Sequence, residues 1–475
     1  MSNPAYQAVP TDPAAEERGL LSTGQSGETS VPRRHDPSRY HRIPYQESRS
    51  SRLCKIFCVI PSLMTLIVLA FISRHMLHSH HDPTFTSGSL VPSPPAHTLV
   101  RDGVCDDLQY PWKGHPNRYD VDLDQFTGFS LVANATRTIT DIQYVRDAKT
   151  KGISVQVDAM LSHKDLQGKL KFLSSSSSEK QEKGEKRTFK SILTTPLGDR
   201  LRDRCIRANI TVTLPESLES LDYLGTSMIQ GSLSLLPREE MEKLKLGNLA
   251  LSSISAPIQV DGACVQESLT IGTVGAKADV QNIRASSLLI ETVDGEIQLE
   301  DVEVGSVYIR TAAGPIRGKG QVKTGDLEVK ATTTSSSRSP SVISFEDARA
   351  SSIHLASVSG PIAGRYMVSS DFSSKTISGD QALTVSFPYS SNAHEASVNV
   401  ESIRGAVSVE VEKEFEGDFQ VRSIMDKATV EGEGTHVRWN HVGRGRMEGV
   451  KGEGHGQIEL YSLSGLARLA FVRTA

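Results

Sequence analysis

The sequence predicts an all-β protein built largely as a β-solenoid, or β-helix, and two observations predict it. From Leu249 onward one phrase keeps returning: apolar, any, apolar, any, small, apolar, any, Gly, any, apolar. It is spelled Leu249-Ala-Leu251-Ser-Ser-Ile254-Ser-Ala-Pro-Ile258, then Leu269 to Ala278, Leu288 to Ile297 and Val307 to Ile316. Its sixth residues, Ile254, Val274, Val293 and Ala312, lie 19 or 20 residues apart, a period that signals a stacked array of short structural units. The second observation is the period-2 alternation inside each phrase, which turns one apolar row inward, followed by Gly where the chain must turn.

One rung of about 20 residues cannot bury its own inner row; stacking at the ~4.8 Å spacing of paired strands merges the rows into one core. The phrase continues at Leu327-Glu-Val329, is interrupted by Ser335-Ser-Ser-Arg-Ser-Pro-Ser341, and resumes at Ile353-His-Leu355 with a second Gly-Pro pair, Gly360-Pro361, like Gly314-Pro315. Val398-Asn-Val400, Phe419-Gln-Val421 and Ile458-Glu-Leu460 follow. That gives about eight rungs where roughly three suffice for stability. Ile290 should point inward like its equivalents Leu251, Ile271 and Ile309, with Glu291 facing solvent.

Thr292-Val-Asp-Gly-Glu-Ile297, with Ile210-Thr-Val-Thr-Leu-Pro215 and Gly231-Ser-Leu-Ser-Leu235 before it, resembles the adhesin-like β-solenoid domains of bacteria and fungi over residues 205 to 475. The resemblance implies a fungal-type, membrane-anchored member of that family and an adhesive role. It brings no catalytic residue to carry over.

Residues 1–53 hold six prolines, many Ser and Arg and little apolar periodicity, the composition of a disordered tail. Glu16-Glu-Arg-Gly-Leu20-Leu21 has the form of an acidic dileucine sorting signal, against the reading that so short a pattern arises by accident. Ile56 to Ser73 is an uncharged, mostly apolar run; with its flanks it predicts a transmembrane helix over 54–74. Arg33, Arg34, Arg39, Arg42, Arg49, Arg52 and Lys55 precede it, and only Arg74 follows closely. The positive-inside rule therefore places the N-terminus in the cytosol. Cys54 and Cys58 at that edge are palmitoylation candidates or ordinary residues of the span. Residues 75–101 read as a proline-containing stalk, 102–240 as a β-rich N-terminal part of the ectodomain, either a β-domain or irregular first coils, and 241–475 as the solenoid.

Asn134-Ala-Thr136 and Asn209-Ile-Thr211 are glycosylation acceptors on the non-cytosolic side. Cys105 and Cys205 are a disulfide candidate for an oxidising compartment, and Cys264 reads as a small buried hydrophobe.

A β-solenoid that cleaves glycosides needs two carboxyl groups across the scissile bond. Asp294 has Gly275 and Ala313 as its equivalents in the adjoining rungs, so no carboxylate ladder forms. His75, His78, His80 and His81 lie in the stalk and read as a solvated linker. No catalytic residue, cofactor or metal is expected. A net charge of −4 and a pI near 6.4 argue against nucleic acid as a partner. Sugar binding favours aromatic platforms, and in a chain only 5% aromatic Tyr110, Trp112 and Trp439 are the ligand-patch candidates.

The expectation is a single-pass type II membrane protein of the plasma membrane or an endosome or vacuole. It would display an adhesin-like solenoid towards the lumen or exterior, with the lipid bilayer and cell-wall or surface glycans or proteins as partners. The rival readings are a membrane-tethered carbohydrate-active enzyme and a scaffold that signals through its tail.

Overall fold

Alternation decides which side chains enter the interior, and the computed structural model follows it coil by coil. The structure describes residue 105 and residues 108–472 except 182–183, 196–203, 333–340, 389–394, 413 and 442–444. Contacts divide the chain into Met1–Ile72 and Ser73–Ala475, and every described residue lies in the second unit. The tail, the apolar run 54–74, the stalk, and with them Glu16, Leu20, Leu21, Cys54 and Cys58, lie outside the described residues.

Parallel strands stack rung on rung. Lys245–Ser253 pairs with Cys264–Thr273, that with Arg284–Thr292, and that with Ile297–Thr311, so that Leu251, Ile271, Ile290 and Ile309 form one column. Ile271, Ile290 and Ile309 are each 0% exposed. The column continues through Val329, Leu355, Ser374 and Val400. A second inner column, Ile258, Ala278, Ile297, Ile316, Ile343, Ile362, Gln381 and Val407, closes the core from the next side. Glu291 lies on the outer row as expected, paired with Arg310 at 3.6 Å.

The turns explain the rest of the phrase. Its fifth, small residue is a buried hydroxyl that ties down the corner it precedes: Thr273 donates to the Ala276 carbonyl at 2.9 Å and Thr311 to that of Ala313 at 2.7 Å. The same position further on is Ser402, Ser462 and Ser423, all fully buried. Gly314 turns the next residues with φ of 117°, and a Cβ there would strike the Gly295 carbonyl of the coil beneath; only glycine lets the coils approach so closely. At another corner Gly262, Asn282, Asp301 and Gly320 follow one another with φ between 51° and 73°, the residue types that tolerate this conformation.

At the N-terminal end the coils join the same stack: Leu131, Thr226 and Leu251 stand in one column across Gly128–Asn134, Ser220–Met228 and Lys245–Ser253. The stacking order also leaves the chain order at both ends. Coil 128–147 lies between the later coils 184–215 and 220–234, paired in parallel with both. Likewise coil 456–472 is inserted between 397–412 and 417–431. It is not the outermost rung that its place in the sequence suggests.

Antiparallel strands then cover both ends, Ile153–Leu161 and Lys171–Gln181 on one and Arg446–Lys451 with Thr435–His441 on the other. Such covers keep open ladder edges from recruiting other chains. Aromatic rings fill the space under them. Tyr119 meets Phe172 at 4.8 Å at the first end, and Phe415 and Phe419 each lie about 6 Å from Phe471 at the other. A disulfide joins Cys105 to Cys205, with Cα atoms 5.4 Å apart.

Three members of these columns are polar: Thr226, within 2.6 Å of the Tyr144 hydroxyl, and the pair Ser374 and Gln381. Ser374 and Gln381 are fully buried; the Ser374 hydroxyl donates to Gln381 Oε1 at 2.5 Å, and Gln381 Nε2 donates to the Glu401 carbonyl at 2.7 Å. A satisfied buried pair contributes little net stability, whereas orphaning one member costs about 1–3 kcal/mol. Gln381→Met is therefore expected to destabilise by about 2 kcal/mol, and Ser374→Ala added to it should cost nothing further. Denaturant titration of the four members of this double-mutant cycle checks it; simple additivity would show that the two side chains act independently.

Candidate interaction surface

Period 2 carried through the whole phrase puts its first, third and fifth residues inside and its sixth outside. The structure does this from the second phrase on, whereas Ile254, the sixth residue of the first, is buried at 5% exposure. The sixth residues follow the buried hydroxyl column around the corner and form an outer edge that runs, in stack order, through Val274, Val293, Ala312, Thr332, Val358, Ile377, Ile403, Leu463 and Ile424. Near the C-terminal end four successive coils place an aliphatic side chain here. Ile377 is 49%, Ile403 44% and Ile424 46% exposed, Leu463 between them is half-buried, and Met425 beside Ile424 is 74% exposed. At the spacing of paired strands they make a line about 15 Å long.

Cations border this line. Lys375 and Arg422 occupy the outer positions two residues before Ile377 and Ile424, and Arg404 and Lys427 follow in the corners, both exposed. Lys375 pairs with Glu401 at 3.3 Å, and the Arg422 guanidinium lies 6.0 Å from the Tyr461 ring. Arg404 makes no ion pair with another described residue. The parity of the phrase assigns these apolar residues to the outside.

The candidates drawn from the sequence fall elsewhere. Tyr110 is exposed on the short strand Tyr110–Pro111, antiparallel to Ile153–Leu161. Trp112 is half-buried against the core, its indole nitrogen buried without an acceptor among the described residues. Trp439 belongs to the cover at the opposite end, in Thr435–His441, so the three residues do not form one patch; its side chain is outside the description. Asn134 ends the strand Gly128–Asn134 and Asn209 sits within Ile206–Pro215, both exposed. Cys264 is half-buried at the start of Cys264–Thr273.

Among the described residues no group of three or more His, Cys, Asp or Glu side chains is placed to hold a metal, and no helix is long and apolar enough to cross a membrane.

The fold and this edge define a β-solenoid with an apolar, cation-bordered rim. The Toastrack DUF4097 family model matches residues 145–337, which reach from Thr138–Asp147 into the segment after Ile316–Ala331. Two solved structures are similar. One, described as a candidate cell adhesion protein, is from Clostridium sporogenes: 9% identity, 75% of this chain and 98% of that one covered, TM-score 0.13. The other, described as a candidate adhesin, is from Parabacteroides merdae: 10% identity, 62% and 94% covered, TM-score 0.22. Comparison with curated proteins found no match.

Proposed function

We propose that the chain is a single-pass type II membrane protein whose solenoid is displayed on the non-cytosolic side as an adhesive surface module. The observation that carries the interaction role is the exposed aliphatic rim, since apolar side chains contiguous on a surface mark places where something else is bound. The apolar run Ile56 to Ser73, with its excess of Arg on the N-terminal side, supports the anchor and its orientation. The Cys105–Cys205 disulfide and the exposed acceptors Asn134 and Asn209 fit an oxidising, glycosylating compartment. Plasma membrane and endosome or vacuole are the membranes this reading proposes, with surface glycans or proteins among the partners.

In sealed microsomes, added protease is expected to remove only the N-terminal tail and leave the solenoid protected. Glycosidase treatment should then lower the mass of the protected fragment, and Asn134→Gln with Asn209→Gln should abolish that shift. Digestion of the solenoid in intact vesicles would reverse the topology, and an unchanged mass would count against the lumenal side.

A further inference from the structure

We propose that the aliphatic rim at the C-terminal end of the stack docks on the surface of a bilayer that contains anionic lipid. The inference deepens the adhesive reading above and rests on it for the side of the membrane from which the rim acts.

The rim lies on the corner where each coil turns, so it is convex. Ile377, Ile403, Leu463, Ile424 and Met425 project from that corner, whereas protein interfaces draw much of their binding energy from anchors seated in pockets. A deformable surface can take such a line. Aliphatic side chains enter the boundary between headgroups and acyl chains, and cations beside them stay at the level of the phosphates. Lys375, Arg404, Arg422 and Lys427 stand in that relation to the line, against Glu401, paired with Lys375, Asp380, which accepts from the Ala406 N–H, and Asp426.

A second copy of the chain fits less well. Two rims packed face to face about a two-fold axis between Ile403 and Leu463 bring Lys375 of one copy opposite Arg422 of the other, because these flank the line on the same side at its two ends. Like charges at a contact oppose association. An anionic surface removes that conflict.

The test uses the full chain reconstituted in phosphatidylcholine nanodiscs and exposed to vesicles of phosphatidylcholine alone or with phosphatidylserine, scored by co-flotation at low and high salt. Capture of the phosphatidylserine vesicles should exceed that of neutral ones by about tenfold at low salt and fall as salt is raised. Ile424→Ser with Met425→Ser, and separately Arg404→Glu with Arg422→Glu, should each reduce capture roughly tenfold. These residues are exposed, and unchanged thermal unfolding of each variant confirms that the fold is intact.

Equal capture of neutral and anionic vesicles, no capture, or variants that bind like the wild type would overturn the proposal. Sedimentation of the nanodisc-borne chain that reveals dimers lost in the Ser variant would assign the rim to a second copy and overturn it as well. If the chain does not stay with the nanodiscs, the anchor reading fails, while flotation of the free chain with the same vesicles still decides the rim.

Discussion

Replacing Ile290 with Asp is expected to lower the stability of the fold by more than about 4 kcal/mol, because the carboxylate would lie unpaired in the apolar core. Ile290 is fully buried in register with Ile271 on one side and Ile309 on the other. No water reaches that column, and the interior of stacked coils cannot open locally without parting both ladders. Glu291→Lys, one residue away, tests the alternation. Glu291 keeps 17% of its side chain exposed and pairs with Arg310, so its reversal loses a surface pair and sets two cations together, a cost of at most about 1 kcal/mol. Chemical denaturation of the two variants measures the difference. Similar values would mean that residues 290 and 291 do not face opposite sides, and the solenoid would fall with them.

The same alternation shows why part of the fold could be read in advance. A rung declares itself through an inner row of period 2 and a turn of fixed residue types, and both are written locally in Leu269 to Ala278 or Leu288 to Ile297. The order of stacking is not written locally. Val398-Asn-Val400, Phe419-Gln-Val421 and Ile458-Glu-Leu460 present the same apolar row, so the row alone does not choose among them, and the contacts of Phe471 in coil 456–472 with Phe415 and Phe419 join residues far apart in the chain. The first coils were obscured for another reason. Long excursions, from Ile153 to Leu161 and through the hairpin Lys171–Gln181 and Gly184–Thr194, separate Gly128–Asn134 from its neighbours and erase the 20-residue period.

The rim was legible by parity, since the sixth residue of a phrase falls on the opposite side from the first, third and fifth. The aromatic candidates lie apart from the rim. Tyr110 and Trp439 are rare residues in this chain, but rarity does not bring them together; they lie in covers at opposite ends of the stack. Ser374 and Gln381 carried no signal either, since a hydroxyl and an amide are compatible with the core only through the hydrogen bond between them.

Removing the disulfide is expected to have the second large effect and to decide whether the N-terminal coils belong to the stack. Cys105 and Cys205 close a loop of 100 residues, and in the chain-entropy account a loop of that length is worth about 4 to 5 kcal/mol. The loop contains coil 128–147, which is held by parallel pairing to coil 184–215 on one side and coil 220–234 on the other. Loosening it therefore weakens two interfaces of the array. In a structure whose stability is a sum over neighbouring units, that loss passes to the coils above through their shared ladder. Cys105→Ser with Cys205→Ser should thus shift one cooperative thermal transition downward, with each single variant nearly as unstable as the double. Reductant added to the wild-type chain should reproduce the shift and leave the double variant unmoved. Two resolved calorimetric transitions, of which only the lower responds to the substitutions, would show instead that the residues before about 240 fold as a domain of their own, and the column from Leu131 through Thr226 to Leu251 would not be a continuous core.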